Sequence, residues 1–504
     1  MNYNISPFNG QPQITVPVAN LRVTPYKIEE LLAVKIHQKI NEHAMLHLKG
    51  ILVSTQEERY IEFSATGINI ALSVVDSSGE DYIIFQGVVK ETKIYVERDT
   101  HYIEVQAVSY SYLMDVEKKS RSFQNKKMLY TDLIKQVTGD YPDSDVIDTA
   151  SNGAPTNKFI IQHQTTDWEF VKRLASHFNT GLVCDIRFDS PKYFFGIPVG
   201  QTLELDSENY TVKKDMQRFN LLSQNGVDGI SEQDFISYEI ETNCIVRVGD
   251  TIVFQGKKLC VSEITSVADK GIFVSHLVVM PKKGLNQLYI PNSNIVGVSF
   301  SGHILESKND QVKVSLDIDH GYDPGDPCFF PYSTIYSSQS GSGWYCMPET
   351  GDTVRIYCPD GEDDHAYAIS SVHEQVDPAL QHKAPSGSRT GSAGGGASGS
   401  AGGYSGQRDD PSIKSLVNSA GMEIRLTPDG IYIISDGASI TMLKNGIEIQ
   451  SDNDITFTSQ QNIIMDAGLE VNITGDTEVT LASESSTVSM TDDVSIVGQE
   501  VKAN

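Results

Sequence analysis

The chain has 504 residues, of which 66 are aspartate or glutamate and 39 are lysine or arginine, so its formal net charge is −27. This length is sufficient for several domains with hydrophobic cores of their own. The acidic surplus argues against nucleic acid as a partner, because nucleic acids select basic surfaces.

No targeting or membrane segment is visible in the sequence. The opening residues, MNYNISPFNG, lack the basic and apolar regions of a secretory signal, and no apolar run reaches the roughly 18 residues of a transmembrane helix. We therefore expect synthesis in the cytoplasm without a signal peptide. The cysteines form no C-x-x-C pair, so buried free thiols are expected rather than disulfides or a zinc site: Cys184, Cys244, Cys260, Cys328, Cys346 and Cys358.

The first part of the chain, to about residue 290, is predicted to be mainly β with a few helices. Residues 60–63, 82–85 and 101–105 alternate between apolar and polar side chains, which indicates half-buried strands. One helix is predicted over residues 128–137.

The clearest predicted helix follows Thr166. Thr166 and Glu169 have the spacing of a capping box, in which each side chain accepts a hydrogen bond from the backbone of the other. Trp168 is expected to anchor the helix in the core, and 179–181, Asn-Thr-Gly, end it. The buried stripe is predicted to contain Phe170, Val171, Leu174, Ala175 and Phe178.

Residues 294–372 form a compact β block of the size of an oligonucleotide/oligosaccharide-binding (OB) barrel. Residues 311–316 alternate as a strand, and 351–356 are a turn that runs into a strand. Residues 385–406 are almost entirely Gly, Ser and Ala, a composition typical of a flexible linker.

The last hundred residues carry apolar pairs every eight positions. The pairs are Ile447/Ile449, Ile455/Phe457, Ile463/Met465, Val471/Ile473 and Val479/Leu481, with looser pairs on both sides. Residues two positions apart in a strand lie on the same face of that strand. A repeat of short strands must stack on its neighbours to bury this face. Three chains around a common threefold axis would each supply one short strand to every layer of the stack. The alternative is a series of ordinary hairpins in an all-β domain.

Three stretches together resemble a VgrG-type spike, the hub-and-spike of contractile phage tails and type VI secretion systems. Residues 164–175, QTTDWEFVKRLA, resemble the tail-hub motif E-S-D-W-x-F-L-x-R-L. Residues 343–354, GWYCMPETGDTV, resemble the OB motif G-x-x-x-x-P-E-x-G-D-x-V, followed by a last barrel strand at 368–372. The octad repeat is the third stretch, and the order of the three covers nearly the whole chain.

The resemblance implies a mainly β fold with four regions. These are a tail-hub-like region with two tube-like β-barrels and helical insertions (1–290), an OB-fold domain (291–380), a Gly/Ser/Ala-rich linker (381–410) and an intertwined trimeric β-helix needle (411–504). The needle has 14 acidic and 4 basic residues from Pro411 onward, which suits a soluble spike surface.

The implied function is structural. A homotrimer would cap an inner tube and puncture a target envelope. It would also adapt the sixfold symmetry of the tube to the threefold symmetry of the spike. Expected partners are the inner-tube and baseplate proteins, the target envelope, and a separate tip protein or effector at the needle end. The protein would be assembled into a phage tail-like particle and delivered outside the cell. The sequence leaves open whether the machine is a phage, a tailocin, an extracellular injection particle or a type VI apparatus.

The alternative function is a trimeric β-helix enzyme that degrades cell walls or surface polysaccharides. We predict no enzyme, no catalytic residue, no cofactor and no metal site. The acidic run 360–365, DGEDDH, could hold a hard cation, but its place in the barrel favours a solvated turn. Residues 323–327, DPGDP, are also a predicted turn, and Trp344 is a candidate trimer contact. No histidine follows His382, so an iron-binding tip is not expected.

Overall fold

The computed structural model describes residues 16–53, 69–75, 79–269, 271–335, 347–370, 412–418, 420, 422–483 and 486–490. It is 47% strand and 14% helix, which confirms the mainly β prediction. Two compact units, Met1–Glu374 and Gln375–Asn504, divide the chain. The predicted strand at 60–63, Trp344, Cys346 and the predicted linker lie outside the described residues.

The first unit begins with seven strands in which apolar and polar residues alternate. In the fourth of them, for example, Leu46, Leu48 and Leu52 are buried while His47 is exposed. The strands are β1 (Val16–Pro17), β2 (Leu21–Thr24), β3 (Ile28–Lys39), β4 (Met45–Leu52), β5 (Asn69–Val75), β6 (Asp81–Glu97) and β7 (Thr100–Ser109).

A helical section follows and covers the core of these strands. Its two helices confirm the predicted helices, although the first begins two residues later than expected. They are α1 (Tyr130–Thr138) and α2 (Asp167–Ser176). The strands around them are β8 (Lys118–Phe123), β9 (Asp145–Asp148), β10 (Ile160–Thr166), β11 (Leu182–Cys184) and β12 (Lys192–Phe195).

Six more strands and a third helix complete the N-terminal region, the name used here for the described residues up to 290. The strands are β13 (Thr202–Glu204), β14 (Tyr210–Lys214), β15 (Ile236–Thr242), β16 (Thr251–Phe254), β17 (Lys257–Asp269) and β18 (Ile272–Met280). Helix α3 (Met216–Gln224) lies between β14 and β15.

One sheet of 13 strands joins the two halves of the N-terminal region. Its main path runs β14-β15-β18-β17-β3-β4-β7-β6-β5-β2, and the joint is the antiparallel pairing of β17 with β3 from Glu263–Lys39 to Val267–Lys35. Two separate hydrophobic cores lie on this sheet. The first is centred on β3–β7 with the helical section, and the second on β15–β18.

A small barrel of five strands follows. Its strands are β19 (Ser299–Lys308), β20 (Gln311–Leu316), β21 (Phe329–Pro331), β22 (Thr353–Tyr357) and β23 (Tyr367–Ile369). They pair in the order β21-β20-β19-β22-β23, and a parallel bridge from Tyr332 to Ala368 connects the two ends. The predicted strands at 311–316 and after Gly351 are confirmed. Phe159 and Ile161 of the N-terminal region belong to the core of this barrel.

The second unit contains an antiparallel meander. Its strands are β24 (Lys414–Val417), β25 (Glu423–Leu426), β26 (Gly430–Ser435), β27 (Ala438–Leu443) and β28 (Gly446–Ser451). A separate hairpin pairs β29 (Val479–Ser483) with β30 (Ser486–Met490). Between them, residues 452–478 form no strand pairing within the described part of the chain.

The turns of the meander explain where hairpins form. Asp429-Gly430, Asp436-Gly437 and Asn445-Gly446 are the turns that lead into β26, β27 and β28, and Gly437 has φ +75°, as such turns require. The ordinary-hairpin alternative therefore holds over residues 414–451, which include the first octad pair. The β-helix needle stays a prediction.

Two further observations concern redox state and membranes. The five cysteines in the described residues are unpaired, and four of them are buried, in agreement with the predicted free thiols. In the described part of the chain, no helix is long and apolar enough to cross a membrane.

Candidate functional site

Helix α2 holds the tail-hub motif and is fixed at its N-terminus by the predicted capping box. The Thr166 hydroxyl accepts a hydrogen bond from the Glu169 backbone N–H at 3.1 Å, and the Thr166 N–H donates to Glu169 Oε2 at 3.1 Å. Trp168 is 2% exposed and belongs to the first core, as predicted. With its apolar side buried in this way, the helix directs Arg173 towards the small barrel.

Arg173 forms a buried ion pair with Asp363 of the small barrel. Arg173 Nη1 lies 2.7 Å from Asp363 Oδ2, and the two side chains are 8% and 1% exposed. Asn292 Nδ2 donates to Asp363 Oδ1 at 2.8 Å. Arg173 Nη2 and Asn292 Nδ2 also donate to the Ile161 carbonyl, at 2.7 and 2.9 Å. Both charges are thus paired and further hydrogen-bonded, the condition under which a buried ion pair is tolerated.

This pair corrects the prediction that residues 360–365 are a solvated turn. Asp364 and His365 are exposed and the Asp360 side chain is half-exposed, as expected of such a turn. Asp363, however, is turned inward by a short 3₁₀ helix, Asp363–His365. The run of acidic residues looks uniform in sequence, and only the approach of Arg173 distinguishes Asp363 from its neighbours. In the described residues, no group of three or more His, Cys, Asp or Glu is arranged to hold a metal ion.

A second polar contact joins the small barrel to β8. The carboxylate of Asp319 accepts hydrogen bonds from the Ser122 backbone N–H at 2.6 Å and from the Ser122 hydroxyl at 2.7 Å. Burial raises the pKa of Asp319, and the two Ser122 donors oppose that rise. Tyr322 packs edge-on against Phe123 with ring centroids 5.5 Å apart.

The predicted turn at 323–327 contributes to the same contact. Asp323 Oδ1 accepts a hydrogen bond from the Gly325 N–H at 2.9 Å, and Gly325 has φ +79°. The neighbouring Pro324 carbonyl accepts a hydrogen bond from the Gln124 N–H at 2.9 Å. The turn is therefore confirmed, and it also docks the small barrel on the N-terminal region. We call the two contacts, around Asp363 and around Asp319, the junction.

A charge cluster at the start of α2 is buried at Arg121 and Asp167 and partly exposed at Lys119 and Asp140. Arg121 Nη2 lies 2.6 Å from Asp167 Oδ1, and Lys119 Nζ lies 2.7 Å from Asp167 Oδ2. Both cations also contact Asp140, at 2.7 and 2.8 Å. Burial raises the pKa of Asp140, but Lys119 and Arg121 outweigh this effect and hold the pKa below its usual value. Two cations and two carboxylates balance, so the cluster fixes β8 to the start of α2.

The meander of the second unit carries an exposed apolar face. Directly paired residues of neighbouring strands share one face of a sheet. Strand pairing aligns one continuous row across all five strands: Leu416, Ile424, Ile433, Ile440 and Ile449. A second row crosses β25 to β28: Leu426, Ile431, Met442 and Ile447. We call these two rows the apolar face.

The opposite face of the meander is mostly polar, with one row formed by Ser415, Arg425, Tyr432, Thr441 and Glu448. Arg425 pairs with Glu423. The apolar face is therefore one-sided, yet Ile433 is 39% and Ile447 is 70% exposed. The octad residues further along are also exposed, for example Ile463 at 51% and Met465 at 63%. The sequence pattern located the later apolar pairs, but the contribution of Leu416, Ile424 and Leu426 was missed.

Comparisons with known proteins give one family model and several solved structures. The model described as the Alg8 N-terminal domain matches residues 60–190, less than half of the chain. That segment begins before β5 and ends between β11 and β12, so it cuts through the N-terminal region. No curated protein matches the chain in sequence.

Among solved structures, the E. coli c3393 protein matches with a TM-score of 0.50 and 13% identity, over 70% of this chain and 99% of that chain. It is described as a type VI secretion component with structural similarity to the T4 bacteriophage tail proteins gp27 and gp5. A Francisella PdpA-VgrG complex matches at TM-score 0.49 and 9% identity, over 86% and 88% of the two chains. The 43 kDa tail protein of prophage MuSo2 from Shewanella oneidensis matches at 0.39 and 11%, over 53% and 98%.

These structural neighbours are type VI secretion proteins of the VgrG kind and phage tail proteins. At this low identity the likeness concerns the fold. Over most of its length, the chain therefore has the fold of the E. coli type VI secretion component.

Proposed function

We propose that this protein is the central hub and spike of a contractile injection machine, in which it caps the inner tube and punctures the target envelope. The observation that carries the proposal is the fold shared with the E. coli type VI component over 70% of the chain. Under this proposal the chain consists of the hub (1–290), OB domain (291–380), linker (381–410) and needle (411–504). Its partners are tube and baseplate proteins, with a tip protein or effector at the needle end.

The apolar face supports a homotrimer. A sheet with one apolar face is stable when that face is buried against another layer, and exposed apolar patches of this kind mark protein interfaces. Ile424 and Ile433 are 47% and 39% exposed in the single chain, so a partner layer would bury much of their surface. The exposed apolar pairs that recur every eight positions also require a partner layer to bury them. Copies of the same chain around a threefold axis would supply this partner layer, because their strands repeat with the same spacing.

The junction supports a mechanical role for the first unit. A load on the small barrel reaches the N-terminal region through the buried Arg173–Asp363 pair and through Asp319 on Ser122. Both contacts pair charged or polar groups that are buried between the barrel and the N-terminal region, so the barrel can swing away only by breaking these pairs. The small barrel would therefore move together with the N-terminal region when the machine fires.

The proposal is tested by imaging and by mass. Electron microscopy of particles from the native host, with an antibody against this protein, should place it at the tip of the tube. Light scattering of the purified chain should give three times the 55.4 kDa of one chain. A folded monomer at micromolar concentration would refute the trimer. Antibody label along the sheath, or no label on the particles, would refute the assignment of this protein as the spike.

The alternative enzyme lacks a supporting observation. A lyase or hydrolase groove on the needle needs cations and aromatic side chains to meet a polysaccharide. The described part of the second unit has the aromatic residues Tyr432 and Phe457, and Arg425 is already paired with Glu423. Incubating the pure protein with purified cell walls tests this: we expect no clearing, and clearing would favour the enzyme.

A further inference from the structure

A cleft of about 690 Å³ opens between the two cores of the N-terminal region. It lies where β3, β17 and β18 meet, and the loops around residues 185, 199 and 247 form its rim. Clefts of roughly 300–1,000 Å³ with mainly apolar walls are typical of small-molecule sites. The walls here are mainly aliphatic and aromatic, with Ile36, Ile83, Val183, Ile186, Val246 and Phe273.

The carboxylates at the cleft already have partners. Asp81 pairs with Arg22 at 3.0 Å, and Asp185 pairs with Arg187 at 2.5 Å. Asp250 accepts hydrogen bonds from the backbone N–H groups of Gln201 at 3.0 Å and of Arg247 at 2.9 Å. Each of these anions is therefore satisfied without a ligand.

Arg247 differs from these groups. Arg247 lines the cleft, and its guanidinium makes no hydrogen bond or ion pair with any other residue that the structure describes. Burial lowers its pKa and the nearby Arg187 lowers it further, while the Asp250 and Asp185 carboxylates act in the opposite direction without outweighing burial. A partly buried guanidinium without a hydrogen-bonded partner is costly, and a carboxylate is the group that pairs with it in two parallel hydrogen bonds.

We propose that this cleft binds a single-chain amphipathic carboxylate, of the fatty-acid class, with the carboxylate on Arg247 and the aliphatic chain along the apolar walls. One unpaired cation matches one negative charge, which disfavours di- and triphosphates. The apolar walls disfavour sugars, whose hydroxyl groups would lose their water without replacement. The inference is independent of the spike proposal, because binding to one chain requires neither a trimer nor a tube.

Decanoate, decanol and decyltrimethylammonium test the inference by isothermal titration calorimetry of the full chain. We expect one decanoate per chain, bound at least about tenfold more tightly than decanol, since a hydrogen bond to a charged group adds about a factor of ten or more. The cationic analogue should give no saturable heat. Decanoate that binds no more tightly than decanol, or that does not bind saturably, would overturn the proposal.

Two variants and a control locate the site. Arg247→Gln should weaken decanoate about tenfold and leave decanol unchanged, because the backbone N–H that holds Asp250 remains. Ile83→Trp should narrow the cleft and weaken both ligands. Arg355→Gln removes an exposed arginine in the small barrel and should change neither affinity. An Arg247→Gln variant that binds decanoate like the Arg355→Gln control would place the site elsewhere and refute the assignment.

Discussion

Arg173 and Asp363 are 190 residues apart in the chain, yet their side chains meet at 2.7 Å in a buried contact. Arg173 belongs to the helix with the tail-hub motif, and Asp363 to the short 3₁₀ helix before β23 of the small barrel. The ion pair thus ties together the two segments that the sequence identifies separately. Because each partner is nearly fully buried, neither can lose the other without leaving a charge uncompensated in the interior.

Asp363→Asn should destabilise the first unit strongly. The substitution keeps the shape of the side chain but leaves the Arg173 guanidinium buried without a counter-charge, which typically costs about 3–5 kcal/mol. Urea denaturation should show this loss in the free energy of unfolding. Asp364→Asn, at the exposed neighbouring position, should stay within about 0.5 kcal/mol of the parent. Equal effects of the two changes would mean that the ion pair contributes nothing.

His177 should make stability fall in acid. Burial lowers its pKa in the folded chain from 6.5 to about 3, with Lys158 and Arg173 acting in the same direction. Its Nδ1 is 2.8 Å from the Tyr130 hydroxyl. Below pH 6.5 His177 is protonated in the unfolded chain, whereas in the folded chain it stays neutral until the pH approaches 3. The free energy of unfolding therefore decreases as pH falls from 6.5 to about 3.

The measurement is the free energy of unfolding of the parent and of His177→Gln between pH 7 and pH 4. The variant should lose part of the parent's decline with falling pH, because glutamine does not titrate. If the two curves run parallel, His177 does not carry the effect.

Ile433→Asp should break the assembly of the second unit. Ile433 lies in the middle of the longer row of the apolar face, between Ile424 and Ile440. In a trimer each copy would bury a carboxylate, and burying an unpaired charge costs several kcal/mol. Light scattering should then report a smaller species. Thr441→Asp, on the polar face, is the matched control and should keep the parent mass.

Ile463→Asp tests the octad register itself. If Ile463 faces a threefold core, three carboxylates would share one layer, and they cannot all ionise at close range. Limited proteolysis of the variant should remove protection after about residue 410 and leave a resistant N-terminal fragment. Thr458→Asp, on the polar part of the repeat, should digest like the parent. Unchanged protection in Ile463→Asp would mean that this residue faces solvent.

The local features of the chain were predictable because they depend on neighbours in sequence. The capping box at Thr166 and Glu169 satisfies backbone groups within four residues, and it is present as predicted. The Asn-Gly and Asp-Gly dipeptides stand at the turns of the meander, since their backbone preferences favour tight hairpins. The alternation at 311–316 likewise gave β20, because its period of two matches a half-buried strand.

The contacts between distant segments were decided by the tertiary structure. Residues 360–365 carry four carboxylates with no local feature that separates Asp363 from the others, and only its approach to Arg173 makes it buried. The pairing of β17 with β3 joins two cores into one sheet, and it is set by packing rather than by any dipeptide or period. The cleft beside Arg247 arises from this same joint.

The sequence by itself therefore determined the mainly β class, the helix at Thr166 and the alternation that produces the apolar face. These properties follow from backbone preferences and side-chain periodicity over a few residues. The tertiary structure decided which charges are buried, because burial depends on what arrives from elsewhere in the chain. Asp363 and Asp364 are adjacent and chemically identical, yet one is 1% exposed and the other faces solvent, since only the first meets an arginine.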